Sequence, residues 1–311
     1  MTAAMTADTT AGTTAGTTAG TSVATSSATT AGLLDALGGA HERAQGEVRI
    51  VSLVPSLTEL LFDLDLGSSL VGRTGFCVHP RDGVRRVPKV GGTKDVDIAK
   101  VRAAAPTHLV VNIDENERPL VDALRGFVPN VIVTHPVEVT DNLALYRLLG
   151  RVFDRDARAA GLCAALQREL DASLALSFDE VKVLYLIWRN PWMTIGAQTY
   201  IAKMLATVGL RAVAPPSGAR YPQLDFDDFG ADRFDAVLLS SEPYRFGPEH
   251  IAELAADPRV GNRPAMLIDA EMTSWYGSRA IAGLRYLREF RRAFDAERSR
   301  RAHGTVEDVR P

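Results

Sequence analysis

The strongest constraint on how this chain can fold is one uninterrupted helical stretch near its middle. From Asp154 to Ser177 there is no proline and a single glycine, and Leu162, Leu166, Leu170 and Leu174 recur every four residues. That spacing lays an apolar stripe along a helix of roughly 36 Å at ~1.5 Å per residue. A helix of that length can bridge two separate bodies. Both of its flanks read as strand, loop and helix in repetition, so two α/β units are expected rather than one.

On the N-terminal side, Arg49–Val54 is an apolar, β-branched run broken by Pro55. Leu57, Leu60, Leu61 and Leu64 then take helical spacing up to Gly67. Further strands are predicted at 70–73, 108–112 and 130–134, with helices over 97–104, 116–126 and 139–153. Beyond the central helix the scheme restarts, with a strand at 181–188, a helix over 198–208 closed by Gly209, a strand at 234–240, a last strand at 266–269 and a closing helix over 278–294. Each half carries an acid shortly after a matching strand, Glu115 in one and Glu242 in the other, as diverged copies would. The predicted fold is α/β: two lobes, each a mainly parallel sheet flanked by helices, joined by one long linking helix, with a ligand cleft between the lobes. The boundaries are 48–153 and 178–295 for the lobes, 154–177 for the linking helix and 296–311 for a charged tail.

Residues 1–47 are of a different composition. Near-repeats such as Thr13-Thr14-Ala15-Gly16-Thr17-Thr18-Ala19-Gly20 bury too little surface to offset the entropy of ordering, so this extension is expected to be disordered. The first basic residue is Arg43, and no secretory signal is recognisable ahead of it, which leaves a cytoplasmic location open. No apolar run reaches the ~18 residues of a membrane span. A formal charge of -3 gives no protein-wide positive field, so nucleic acid is not an expected partner. Cys77 and Cys163 are the only cysteines, one in a predicted loop and one on a helix, and make no case for a disulfide.

Several loops at strand ends could carry chemistry. Ser56-Leu57-Thr58-Glu59 fits a capping box, or else leaves helix-start N–H groups free for a ligand. Phe76, Cys77 and His79 suit the lining of a cleft; as metal ligands, Cys77 and His79 are two short of a structural zinc site. Gly91-Gly92-Thr93-Lys94 lacks phosphate-loop spacing and reads as a turn. Asp114-Glu115-Asn116 follows a strand at the edge where open α/β sheets bind ligands, with Asp114 or Asn116 available to cap the next helix. Trp188-Arg189-Asn190-Pro191-Trp192 places two indoles beside a guanidinium, a platform suited to flat ligands. Tyr221, Glu242, Tyr244, Trp275 and Arg279 add aromatic and polar groups to the same rim.

With Arg49–Val54, Pro55-Ser56-Leu57-Thr58-Glu59, the Gly91-Gly92 turn, the long helix and Ser274-Trp275-Tyr276 in that order, the chain resembles the helical-backbone metal-receptor family of periplasmic substrate-binding proteins over about residues 48 to 295. The resemblance is strongest to the branch that binds cobalamin. It implies a monomeric substrate-binding protein for ABC-type uptake of a cobalamin-like corrinoid or an iron chelate, with no built-in cofactor, no resident metal, no catalysis and little hinge motion. It places ligand contacts at Phe76, Thr93, Ile113, Trp188, Tyr221 and Trp275, of which Thr93 and Ile113 depart from the aromatic pattern, and a carboxylate at Asp269 or Glu271. It places permease docking at Asp227, whereas the matching position in the first lobe is Ala99, beside Lys100.

Two other functions fit the same residues. One is an enzyme of corrinoid or chelate metabolism, with Glu115 and Glu242 as acid and base and His79 or Cys77 as nucleophile or metal ligand. The other is a cytoplasmic metal or haem carrier that uses Cys77 and His79.

Overall fold

The computed structural model describes residues 34–230 and 233–307. Strands β1 (Ile50–Ser52), β2 (Leu70–Arg73), β3 (His108–Asn112) and β4 (Asn130–Thr134) form a parallel sheet in the order β2-β1-β3-β4. Strands β5 (Val181–Trp188), β6 (Met193–Thr194), β7 (Leu210–Ala212), β8 (Ala236–Ser240) and β9 (Ala265–Ile268) form a second sheet in the order β6-β5-β8-β9, with β7 also paired to β5. Within it only β6 runs antiparallel. β3 and β8 are buried at every residue, as parallel strands with helices on both faces must be.

Side chains alternate across each strand and so feed separate apolar clusters. Val51, Leu109 and Val131 face an outer cluster of the first sheet. Leu184, Leu186 and Leu239 face an outer cluster of the second. Their strand neighbours join one continuous core that runs from Ile50, Val110 and Ile132 through Tyr146 and Leu166 to Val183, Leu238 and Leu284. The two sheets are therefore tied by shared packing as well as by the connecting helix. Within that junction the Tyr146 hydroxyl donates to the Gly277 carbonyl at 2.8 Å.

Several sequence expectations change. The connecting helix is Asp156–Leu174, shorter than 154–177, because Asp154 takes a left-handed φ of 57° that separates it from the helix before. The closing helix is Arg279–Glu307 and runs through the segment read as a tail. The expected disorder of 1–47 falls, for residues 1–33, outside the described residues. Residues 34–47 are held against the first sheet: Ala36 donates to Val133 O at 2.9 Å, and Asp35 Oδ2 accepts from Val133 N–H at 3.1 Å. The capping box at Ser56 does not form. Pro55 starts the helix Pro55–Asp63 two residues early, putting Ser56 inside its first turn and freeing Glu59 for another partner. That helix is ended by Asp65, at φ 59°, instead of Gly67, whose missing Cβ makes room for the Phe62 ring.

Candidate functional site: the junction of the two sheets

The loops at the C-terminal ends of β2 and β3, with the helix that follows β1, meet the segments that follow β7 and β9. Asn116 organises the first set. Its side-chain oxygen accepts from Asn112 N–H at 3.0 Å, and its amide nitrogen donates to Thr93 O at 3.0 Å and Leu53 O at 3.4 Å. Neither Asn116 nor Asp114 caps the following helix, whose N-cap is Glu117. Phe76 lies over the Gly91-Gly92 turn, close enough that a Cβ on Gly92 would meet its ring at 3.3 Å.

Three ionic contacts cross between the two sets of loops. Arg279 grips Glu59 with both arms at 2.6 and 2.7 Å and also reaches Glu271 at 3.1 Å. Glu271 in turn lies 3.0 Å from His79 Nε2. Arg220 meets Asp114 at 2.7 Å. Trp275 sits inside the first group, with Arg279 over its ring at 4.9 Å and the His79 ring edge-on at 5.6 Å.

Two carboxylates stand apart from these pairs. Glu115 forms no ion pair among the described residues; burial and then the neighbouring Asp114 raise its pKa against the opposing pull of Lys94. Glu242 is raised by burial and by Glu271 and Asp269, with a hydrogen bond from the Trp275 indole working the other way. Tyr221 and Tyr276 lie in the field of Asp114 and Glu115, and burial is the main cause that raises the Tyr276 phenol.

The sequence-predicted residues divide into three groups. Phe76, Thr93, Ile113, Glu115 and Tyr221 lie in loops at the junction, whereas Trp188 is the last residue of β5 and Glu242 follows β8 beside Glu271 and Trp275. Trp275, His79 and Arg279 are there too but are engaged with one another, and Trp275 is only 9% exposed. The remainder face elsewhere. Cys77 is 1% exposed, its Sγ at 3.0 Å from Thr58 Oγ1 and 3.2 Å from Thr74 Oγ1, so its thiol does not converge with His79 on a shared ion. Both cysteines are free thiols. Trp192 stacks on Phe246 at 6.0 Å and packs edge-on against Phe226 in the outer cluster. Tyr244 joins that cluster with its hydroxyl on His250 at 3.1 Å, while its ring supports Trp188 edge-on at 5.7 Å. Arg189 is held by Glu253 at 2.6 Å. Asp227 is exposed and paired with Arg259 at 3.1 Å. Sequence reasoning missed Glu59, which the capping pattern disguised, and Tyr276, whose only signal was its place beside Trp275. Among the described residues no group of three or more His, Cys, Asp and Glu is placed to hold a metal, and no helix is long and apolar enough to cross a membrane.

Two mainly parallel sheets, joined by a long helix and meeting at the C-terminal ends of their strands, define a two-lobed α/β protein of the ligand-binding class. The chain belongs to the periplasmic binding protein family, whose profile matches residues 50–266. A Bacillus subtilis (strain 168) relative, the uncharacterised ABC transporter substrate-binding lipoprotein YvrC, is 26% identical over 176 residues, covering 53% of this chain and 55% of the relative. The match thus spans about half the length of that curated relative. The periplasmic vitamin B12 binding protein BtuF of Vibrio cholerae superposes with a TM-score of 0.69 at 15% identity, over 79% of this chain and 96% of that one. The periplasmic heme-binding protein RhuT from Roseiflexus sp. RS-1 does so with 0.64 at 21% identity, over 77% and 95%. At these identities the likeness is one of fold.

Proposed function

We propose that this chain is the substrate-binding component of an ABC-type importer, working as a monomer outside the cytoplasmic membrane. Its ligand is a bulky, flat metal chelate of the corrinoid or haem type, carried as cargo and not as a resident cofactor. One observation carries this reading. Large apolar side chains that a folded protein normally hides stay exposed on the loops of both halves: Phe76 at 62%, with Val78 and Ile113, on one, and Trp188 at 39%, with Tyr221, on the other. Such surfaces suit stacking on a planar ligand, at ~0.5–1.5 kcal/mol per aromatic contact. The ligands of BtuF and RhuT, and the transporter role in the name of YvrC, support the same class. Asp227 is the candidate permease contact of the second half, with Arg259 as the partner it would exchange.

Calorimetric titration of the full chain with cyanocobalamin, cobinamide, haemin and a ferric siderophore tests the proposal. Kd for at least one ligand is expected at micromolar or below, weakened several-fold by Trp188→Ala and by Phe76→Ala. Absence of heat with every ligand rejects this reading. Trp275→Ala is a poor probe of contact, since that indole is buried among Arg279 and His79.

A further inference from the structure

Buried polar atoms are nearly always hydrogen-bonded, and here the exceptions gather in one place. Among the described residues, the buried side-chain atoms without a hydrogen-bond partner are His135 Nε2, Arg220 Nε, Tyr276 Oη and Ser278 Oγ. The first three belong to residues around Asp114 and Glu115. His135 Nε2 lies 3.4 Å from Asp114 without hydrogen-bond geometry, and Arg220 uses a terminal nitrogen on Asp114 at 2.7 Å, leaving Nε over. Tyr276 is 6% exposed, with Ser56 as a polar neighbour but no hydrogen bond of normal geometry. Glu115 adds a carboxylate with no cation in contact. The cluster therefore offers two donors, Arg220 Nε and the Tyr276 hydroxyl, a His135 ring nitrogen that donates or accepts according to its tautomer, and the Glu115 carboxylate as an acceptor.

Resting on the chelate-binding reading above, we propose that Glu115, Arg220 and Tyr276 form a subsite for a primary amide on the ligand's periphery, and that it discriminates against free carboxylates. An amide matches both halves of the site, since its NH2 donates to Glu115 while its carbonyl accepts from Arg220 Nε and Tyr276. A ligand carboxylate can only accept, and it would face Asp114 and Glu115 together. An amine can only donate, and it would leave Arg220 and Tyr276 unmatched.

The test uses one macrocycle with three peripheries: dicyanocobinamide, whose side chains are amides, cobyrinic acid, whose side chains are carboxylates, and its heptamethyl ester. Each is titrated into the full chain by tryptophan quenching at neutral pH, with haemin alongside. Cobinamide is expected to bind about tenfold tighter than cobyrinic acid, the size of one charge-assisted hydrogen bond gained or lost. The ester, which accepts but cannot donate, falls between them. Glu115→Gln should shrink the cobinamide preference at least about threefold, and Tyr276→Phe should weaken cobinamide without moving the melting temperature. Asp82→Asn, on an exposed carboxylate, should leave every ratio unchanged. Cobyrinic acid binding as well as cobinamide, or a preference untouched by Glu115→Gln, overturns the subsite and leaves the chelate reading in place. Binding of haemin with no corrin bound has the same meaning. Failure of the whole panel rejects the chelate reading, and the subsite falls with it.

Discussion

Two polar clusters lie a few residues apart where the sheets meet, and they are built on opposite plans. Around Arg279 the polar groups are engaged: Glu59 and Glu271 share one guanidinium, His79 adds to Glu271, and Trp275 is enclosed between Arg279 and His79. Around Glu115 they are not: an acid lacks a counter-ion, and the buried donors of Tyr276 and Arg220 are unused. The first arrangement spends its hydrogen-bonding capacity on holding the loops of the two halves together. The second ties the halves through Arg220 and Asp114 and leaves buried polar atoms around that contact unpartnered. Adjacency in sequence hides this difference, since Trp275 belongs to the closed cluster and Tyr276 to the open one.

The largest effect is expected where the closed cluster is broken. Replacing Arg279 with Met leaves two carboxylates, 18% and 22% exposed, without their cation. Stranding fully buried charges costs 3–5 kcal/mol, and with this partial exposure about 2–3 kcal/mol is expected from urea denaturation. Ligand affinity should change far less than stability. An Arg279→Met protein that keeps its urea midpoint and loses its ligand would reverse the roles assigned to the two clusters.

Two tyrosines sharpen the comparison at smaller scale. Tyr185 is fully buried, with its hydroxyl at 2.8 Å from Thr273 Oγ1 and 3.1 Å from Ser240 Oγ. Tyr185→Phe removes a used hydroxyl and should cost about 1 kcal/mol. Tyr276→Phe removes an unused one and should fall within about 0.5 kcal/mol of the parent. Equal losses in the two variants would mean that Tyr276 has a structural partner after all.

How far the sequence foretold this arrangement depends on the range of the forces involved. β2, β3, β4 and β5 occupy the residues predicted for them, because β-branched runs in buried parallel strands signal locally. Near-identical local signals failed when a distant contact decided the outcome. Trp188 and Trp192 read as one platform, yet Trp188 ends β5 in the open, while Trp192, past Asn190 at φ 63°, stacks on Phe246. Glu59 read as a cap because nothing nearby announces Arg279, 220 residues on. Asp35 looked like part of a tail too polar to pack, and the Val133 amide it satisfies is 98 positions away. Rim composition at strand ends was legible in outline; which rim residues are already engaged was not.

The smallest expected effect comes from the two raised carboxylates, and its sign is its value. A carboxyl whose pKa rises on folding binds more protons in the native state over the window above its ordinary value of 4.5. Its stabilising contribution is therefore complete below that value and is lost as pH climbs through the raised pKa, so at neutral pH both Glu115 and Glu242 stand as a net cost to folding. Glu115→Gln and Glu242→Gln should each raise the thermal midpoint at pH 7, and the gain should shrink as pH falls through and below 4.5. Glu59→Gln, which removes the carboxylate gripped by Arg279, should instead lower the midpoint at pH 7. A site kept for a ligand carries such unrelieved groups because the ligand relieves them. If both Gln variants are less stable than the parent at pH 7, then Glu115 and Glu242 are structural, and the contrast between a closed and an open cluster does not hold.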